Sequence, residues 1–226
     1  MDEPARTGPG GVDVDGGVLD GDAVLEVMGT CRAMRWLRPD PVPPKLIDRV
    51  LWAATRAPSP GNTQDWDFVV VDDPDAKAQI GTAVGEAMTA YVAALPRPDR
   101  TTRLMLDGTT HLIDTFAQAP VVVFVCGAVN YPPQRPDPQM TWSALYPAAQ
   151  NLILGARALG LGTTFTTLHR PAEPVVRDVL GIPDDVKIAA TIPIGWPAGR
   201  FGPVNRRPLA DVVHRNRWEG TKRGGG

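Results

Sequence analysis

Apolar residues recur along this chain with two periods, and the switches between them outline the elements. After Pro43-Pro44, the residues Leu46, Ile47, Val50, Leu51 and Ala54 fall on one helical stripe, and the paired prolines suit a first helical turn. A longer stripe lies within Thr141 to Leu159, where Leu145, Ala149, Leu152, Ile153, Ala156 and Leu159 share a face and Gly160 caps the end. Pro74 to Ala94 and Thr101 to Gln118 read as helices joined by a Pro-Arg-Pro turn. Shorter helices are predicted from just after Asp22 to about Thr30, at Ala172 to Leu180, and through Val213. Dense β-branched runs predict buried strands at Val121 to Cys126 and Val186 to Ile194, with further strands at Asp67 to Val71 and Thr163 to Leu168. A few strands scattered among long helices argue for an α+β or α/β architecture.

The periodic body runs over residues 21–218 without a linker-like break, so it is expected to be one domain. Residues 1–20 and 219–226 are small, polar and aperiodic, as in disordered tails. Composition is ordinary for a globular protein, with 226 residues of which 43% are hydrophobic and 21% charged. A net charge of −2 leaves no electrostatic footprint for nucleic acid or an anionic membrane surface. The longest apolar run, Ala119 to Val129, is about half of what a membrane span needs. The amino terminus has no apolar stretch of the secretory kind. The expectation is a cytoplasmic protein. The two cysteines, Cys31 and Cys126, are far apart and suggest neither a disulfide framework nor a zinc site.

Protein-borne catalytic chemistry is sparse. The phosphate-loop, zinc-protease and nucleophile-elbow signatures are absent. Gly160-Leu161-Gly162 begins like a dinucleotide fingerprint, but it follows a helix and lacks the third glycine. His111, His169 and His214 stand alone, each expected on a surface or satisfied locally. If the chain is an enzyme, a cofactor carries the chemistry.

Arg32 and Arg35, three residues apart, can face one site and bind a phosphate or an anionic ring, or they can form a solvated charged face. Arg206-Arg207 leave the same alternatives open. The loop Ala57-Pro58-Ser59-Pro60-Gly61-Asn62-Thr63-Gln64-Asp65-Trp66 combines a turn with short donors at Ser59, Asn62 and Gln64, the equipment for reading a polar heterocycle.

Taken in order, Arg32-Ala33-Met34-Arg35, this loop, the helix Ala148 to Leu154 running to Gly160-Leu161-Gly162, and the tail from Ile194 to Arg207 resemble the nitroreductase family over about residues 22–218. The resemblance implies an α+β sandwich with a mixed central sheet flanked by helices, in an intertwined homodimer with FMN at the subunit interface. It implies that Arg32, Ala33, Met34 and Arg35 hold the phosphate and the pyrimidine side of FMN. Pro58, Ser59, Asn62 and Gln64 would reach the partner subunit's flavin. Phe165, Thr166, Thr167 and Leu168 would pack beside the ring and offer backbone N–H groups, and Arg207 with Arg206 would clamp the phosphate.

Departures from the family pattern are visible. Cys31 stands where an arginine is common, Ala33 replaces a serine, Pro60-Gly61 replaces the second loop serine, and Asn205 stands where a lysine is common. The implied activity is FMN-dependent reduction of nitroaromatic or quinone acceptors by NAD(P)H in two strokes. Trp142, Phe165 and the Pro-rich loop from Asn130 are candidate walls for the small-molecule acceptor, or ordinary packing. Alternatives within the resemblance are a flavin-dependent dehydrogenase or dehalogenase, or a protein that sequesters FMN. Nothing in the chain marks a choice between NADH and NADPH.

Overall fold

The computed structural model describes residues 20–218. Asp20, expected in the tail, instead starts helix α1 (Gly21–Thr30): its carboxylate accepts from the N–H groups of Asp22 and Ala23, both at 3.1 Å. The other expected tail residues, 1–19 and 219–226, lie outside the described residues. Helix α2 (Pro44–Ala54) begins at the paired prolines. Asp73 accepts from Ala76 N–H at 2.7 Å to open α3 (Pro74–Ala94). Asp99 accepts from Thr102 N–H at 2.8 Å to open α4 (Arg100–Asp114). Asp137 does the same for α5 (Pro138–Ala158), accepting from Gln139 N–H at 2.9 Å. This cap draws the helix three residues further back into the Pro-rich loop than the apolar stripe indicates. Helix α6 (Glu173–Leu180) ends at Gly181 with φ +64°.

Strands β1 (Leu37–Arg38), β2 (Trp66–Val71), β3 (Val121–Gly127), β4 (Gly162–Thr163) and β5 (Lys187–Pro197) form one sheet in the order β1-β5-β3-β2, with β4 also paired to β5. The α+β class holds. Where a mixed sheet is expected, every pairing between these strands is antiparallel. The connections supply the reason. Between β2 and β3 the chain goes out along one helix and back along another, so it re-enters the sheet reversed, whereas a single crossover helix returns it parallel.

Two other expectations are corrected. The predicted strand Thr163 to Leu168 is only β4 and one isolated bridge, Thr166 to Thr191, because the chain leaves the ladder between them. The predicted last helix through Val213 is a 3₁₀ turn at Leu209–Asp211, as its few apolar positions cannot drive a longer helix.

Strict alternation along β3 splits the core. Val121, Val123 and Val125 face a cluster with Val50 of α2 and Leu145, Ala149 and Leu152 of α5. Val122, Phe124 and Cys126 face the opposite cluster, with Ile80 and Val84 of α3, Leu106 and Leu112 of α4, and Val176 of α6. Both faces of β3 are therefore covered, which is why its sequence reads as an unbroken apolar run. Among the described residues no helix is long and apolar enough to cross a membrane.

Candidate functional site

The segment after α1 crosses the edge of the sheet and is tied down on both sides. Met34 N–H donates to the Thr163 carbonyl at 2.8 Å, and the Thr164 hydroxyl donates to the Met34 carbonyl at 2.8 Å. Ala198 N–H donates to the Trp36 carbonyl at 2.9 Å. Helix α4 closes over the segment through Gly108, where a Cβ would come within 2.8 Å of Arg35 Cδ and 3.0 Å of Trp36. One turn on, His111 stacks on Trp36 with ring centroids 5.0 Å apart and planes 14° apart. A glycine inside a helix costs about 1 kcal/mol relative to alanine. Here it gives the Arg35 stem and the Trp36 ring a seat.

A cleft of about 660 Å³ results, bordered by Arg32 to Trp36 on one side, Thr101, Leu104 and Met105 of α4 on another, and Ala198 to Arg200 on a third. Arg32, Arg35 and Arg200 bring three guanidinium groups to this cleft, and no acidic residue among the described ones lines it. Trp36, Leu104 and Met105 are exposed and supply an apolar wall. Arg35 is half-buried, and burial pushes its pKa down with no carboxylate to offset it. None of the three ion pairs among the described residues involves it.

The stretch Phe165 to Leu168 leaves the cleft at Thr164. Thr166 uses both backbone groups and its hydroxyl on Thr191 of β5: its N–H donates to the Thr191 carbonyl at 3.1 Å and its carbonyl accepts from Thr191 N–H at 2.9 Å. By the alternation of an extended edge, the N–H groups of Phe165 and Thr167 face away from β5, and they have no acceptor among the described residues. Leu168 differs from its neighbours, because its side chain is buried in the core cluster under α3. Phe165 is exposed and lies against Tyr146 at 6.1 Å, which stacks in turn on Trp142 at 5.7 Å and 17°. Residues 164–167 therefore connect the arginine segment to an aromatic row.

The loop with Pro58, Ser59, Asn62 and Gln64 does not line the arginine cleft of its own chain. It is exposed and conformationally demanding, with positive φ at Gly61 (59°), Asn62 (52°) and Gln64 (55°). Such non-glycine angles persist where the surroundings over-determine them and gather at functional sites. Ser59 is the internal brace: its hydroxyl accepts from Gln64 N–H at 2.9 Å, and its carbonyl accepts from Asn62 N–H at 3.0 Å. Tyr131 of the Pro-rich loop packs over Gly61.

Arg206 and Arg207 lie outside the lining of the arginine cleft. The tail returns along α1, where Val204 N–H donates to the Gly29 carbonyl at 2.9 Å and Arg157 stacks over Phe201 at 4.1 Å. That anchoring delivers Arg200 to the cleft and leaves Arg206 and Arg207 exposed outside its lining. Arg206 donates to the carbonyl of its neighbour Asn205 at 2.8 Å. Arg200 was visible as the first cation of the basic tail. Tyr146 and the α4 wall had no chemical signal of their own, since Leu104 and Met105 resemble core positions until their exposure is known.

His169 and the two cysteines sit within the packing of the fold. His169 is buried, with Nδ1 2.8 Å from the Thr191 hydroxyl and Nε2 3.1 Å from the Ile188 carbonyl. A carbonyl can only accept, so Nε2 carries the hydrogen and the threonine hydroxyl donates to Nδ1. Burial lowers the pKa of His169 to about 4. Cys126 is buried, and its thiol is pushed up to about 12. Cys31 is raised by burial, partly countered by Arg157. No group of three or more metal-ligating side chains occurs among the described residues.

This arrangement has clear relatives. Residues 30–196 match the model of the Nitroreductase family. The chain is 31% identical over 197 residues to the NADH dehydrogenase of Thermus thermophilus, covering 80% of this chain and 90% of that protein. It is 28% identical over 192 residues to iodotyrosine deiodinase 1 of Rattus norvegicus, covering 83% of this chain and 67% of that protein. The FMN-dependent nitroreductase NfnB of Mycobacterium smegmatis, solved in complex with NADPH, superposes with a TM-score of 0.66 at 21% identity, over 87% of this chain and 99% of that one. The matched span contains the Arg32–Trp36 segment, the positive-φ loop and the 164–167 stretch within one fold, and the chain belongs to the nitroreductase family.

Proposed function

We propose that the protein is an FMN-dependent oxidoreductase that takes reducing equivalents from NAD(P)H and passes them to a small aromatic acceptor, a nitroaromatic or a quinone, in two strokes. One observation carries this reading: three guanidinium groups converge on a cleft that contains no carboxylate and has an apolar wall. A ligand with an anionic end and a flat apolar body matches that lining, and a flavin mononucleotide is such a ligand. Its chemistry, when bound, is hydride acceptance from a nicotinamide and two-electron delivery to an acceptor.

The chain's own residues hold and orient. Arg32 and Arg200 supply charge-assisted hydrogen bonds to a phosphate. Arg35, seated over Gly108, would help hold the flavin and would supply a fixed positive charge that favours its reduced state over the oxidised one. The outward N–H groups of Phe165 and Thr167 are further donors beside the ring. Trp36, Leu104 and Met105, exposed in the single chain, would shed water when a flat ring covers them. No side chain is assigned as a proton donor or nucleophile.

The functional unit in this reading is a cytoplasmic homodimer. An apolar cleft of about 670 Å³ lies between Val24 and Met28 of α1, Trp52 of α2 and Leu154 of α5, and Val24, Leu25, Met28 and Trp52 are exposed in the single chain. The loop from Pro58 to Gln64 lies outside the arginine cleft of its own chain and would meet the partner's. Obligate interfaces of this kind bury roughly 2,000 Å² or more. Sedimentation of the flavin-loaded protein at micromolar concentration should show a dimer, and a stable loaded monomer refutes it.

The decisive experiment is release of the bound chromophore by denaturation, followed by anaerobic reduction with NADH and NADPH. One FMN per subunit and rapid bleaching are expected. Release of FAD, of a deazaflavin or of nothing overturns the assignment, and FMN without bleaching points to sequestration. Similarity to iodotyrosine deiodinase favours reductive dehalogenation as a second reading. Iodide release from an iodoaromatic under the same conditions separates the two.

A further inference from the structure

Beyond the aromatic row lies a separate pocket of about 340 Å³, lined by Trp142, Tyr146, Thr167, His169, Arg170 and Lys187. It shares Thr167 with the stretch that leads from the arginine cleft. Trp142 and Tyr146, stacked on each other, form its aromatic side. The polar side can be sorted residue by residue. His169 is neutral and both ring nitrogens are engaged. Glu173, which also borders the pocket, accepts from Arg177 Nε at 3.0 Å and Nη2 at 2.6 Å, so its charge is matched. Arg170 and Lys187 remain. Neither takes part in an ion pair among the described residues. Lys187 is half-buried at the start of β5, and the backbone N–H of Arg170 is fixed to the Thr167 carbonyl at 3.0 Å.

We infer that this pocket is the anion subsite for the electron acceptor, so that the enzyme selects planar aromatic acceptors bearing a carboxylate or a similar anionic substituent. The inference rests on the reductase reading above and narrows its substrate class. Two unmatched cations beside an aromatic pair reward a ligand whose ring packs against that pair and whose acid group reaches Arg170 and Lys187. A neutral isostere fills the same volume but leaves those cations partly desolvated and unpaired, and that difference is the source of selectivity. Charge selection here is separate from the three arginines of the cleft, which the cofactor occupies.

The test compares charged and neutral isosteres on the flavin-loaded protein. Binding of benzoate and benzamide, which cannot be reduced at a nitro group, is followed by tryptophan fluorescence. Turnover of 4-nitrobenzoate and 4-nitrobenzamide with NAD(P)H gives kcat/KM. The carboxylate should win by about tenfold in both measurements, the scale of one charge-assisted hydrogen bond. Arg170→Gln, at an exposed position, should cut that ratio severalfold, and Arg170→Gln with Lys187→Gln should bring it close to one while benzamide binding stays unchanged. Equal affinity for the two isosteres in the wild type overturns the inference, as does a preference that survives the double substitution. A neutral quinone serves as the separate control. Turnover of the quinone without charge preference removes only the anion subsite, whereas FMN absence or failure to bleach removes the reductase reading. The binding comparison still decides the subsite in either case.

Discussion

Two polar regions of this molecule have opposite fates. Under the sheet, Lys77 and His169 are buried and finished by the fold. The Lys77 ammonium donates to the carbonyls of Ala119 at 2.8 Å and Pro120 at 3.1 Å, and His169 is held between Thr191 and Ile188. At the sheet's edge, Arg35 is half-buried, has no acidic partner, and faces a cleft with two more guanidinium groups. Both Lys77 and Arg35 have their pKa lowered by burial, so desolvation alone does not distinguish them. What distinguishes them is whether the protein supplies the acceptor. A charge completed by the fold contributes to stability, and a charge left incomplete beside a cleft is available to a ligand.

The largest effect that would sharpen this contrast concerns His169. In the fold it stays neutral down to about 4, whereas unfolded it takes up a proton near 6.5. Between those values the unfolded chain binds more protons. Its contribution to stability is therefore fully present above about pH 6.5 and is lost as pH falls toward about 4, by up to about 3 kcal/mol. Denaturant titrations at pH 7 and pH 4.5 should show this loss, and His169→Asn should flatten it. Equal pH dependence in the two proteins would mean that the ring is not held neutral.

Lys77→Ala comes next. It leaves two carbonyls under the core without their donor and should destabilise the fold by about 2–4 kcal/mol, without changing the FMN content of the protein that remains folded. A loss of flavin in folded Lys77→Ala would break the distinction between the two regions.

On the cleft side the pattern inverts. Arg200→Ala or Arg32→Ala should change folding stability by less than about 0.5 kcal/mol, as surface substitutions do. Each should weaken FMN binding about tenfold, read by flavin fluorescence on dilution. Arg206→Ala and Arg207→Ala should weaken it less, because neither borders the cleft. A larger loss at Arg207 would show that the tail closes differently over the cofactor.

The smallest effect is on potential. Arg35→Ala should retain FMN yet lower its two-electron midpoint by tens of millivolts, since about 1.4 kcal/mol corresponds to near 30 mV. Spectroelectrochemistry measures it directly, and an unchanged midpoint with flavin bound would reduce Arg35 to a structural residue. Replacing His111, His214, Cys31 or Cys126 should cost less than about tenfold in turnover, below the range of general acid–base groups.

Legibility in the sequence followed how local each signal was. The apolar stripes and the Pro-Pro start left marks within three or four residues, so most helices were readable to within a turn. The buried strand β3 was readable because both its faces are covered. The stretch from Thr163 to Leu168 was misread as one strand. Its alternation is real, but whether each residue pairs depends on β5, more than twenty residues away in the chain. The arginine segment was recognisable as chemistry, yet the identity of its third cation was not. Arg200, Arg206 and Arg207 are equivalent as letters. Only the docking of the tail on α1, through Val204 and Phe201, decides which of them reaches the cleft.

The sequence by itself determined most helices, the buried strands and the family, because periodicity and ordered motifs are carried by neighbouring residues. The tertiary structure alone decided which polar groups are spent and which are left open. Whether His169 meets Thr191, whether Arg35 meets a carboxylate, and whether Lys187 and Arg170 share a pocket depend on contacts between distant segments. Hydrogen bonds act over about 3 Å, so no spacing along the chain reveals them until the sheet has brought those segments together.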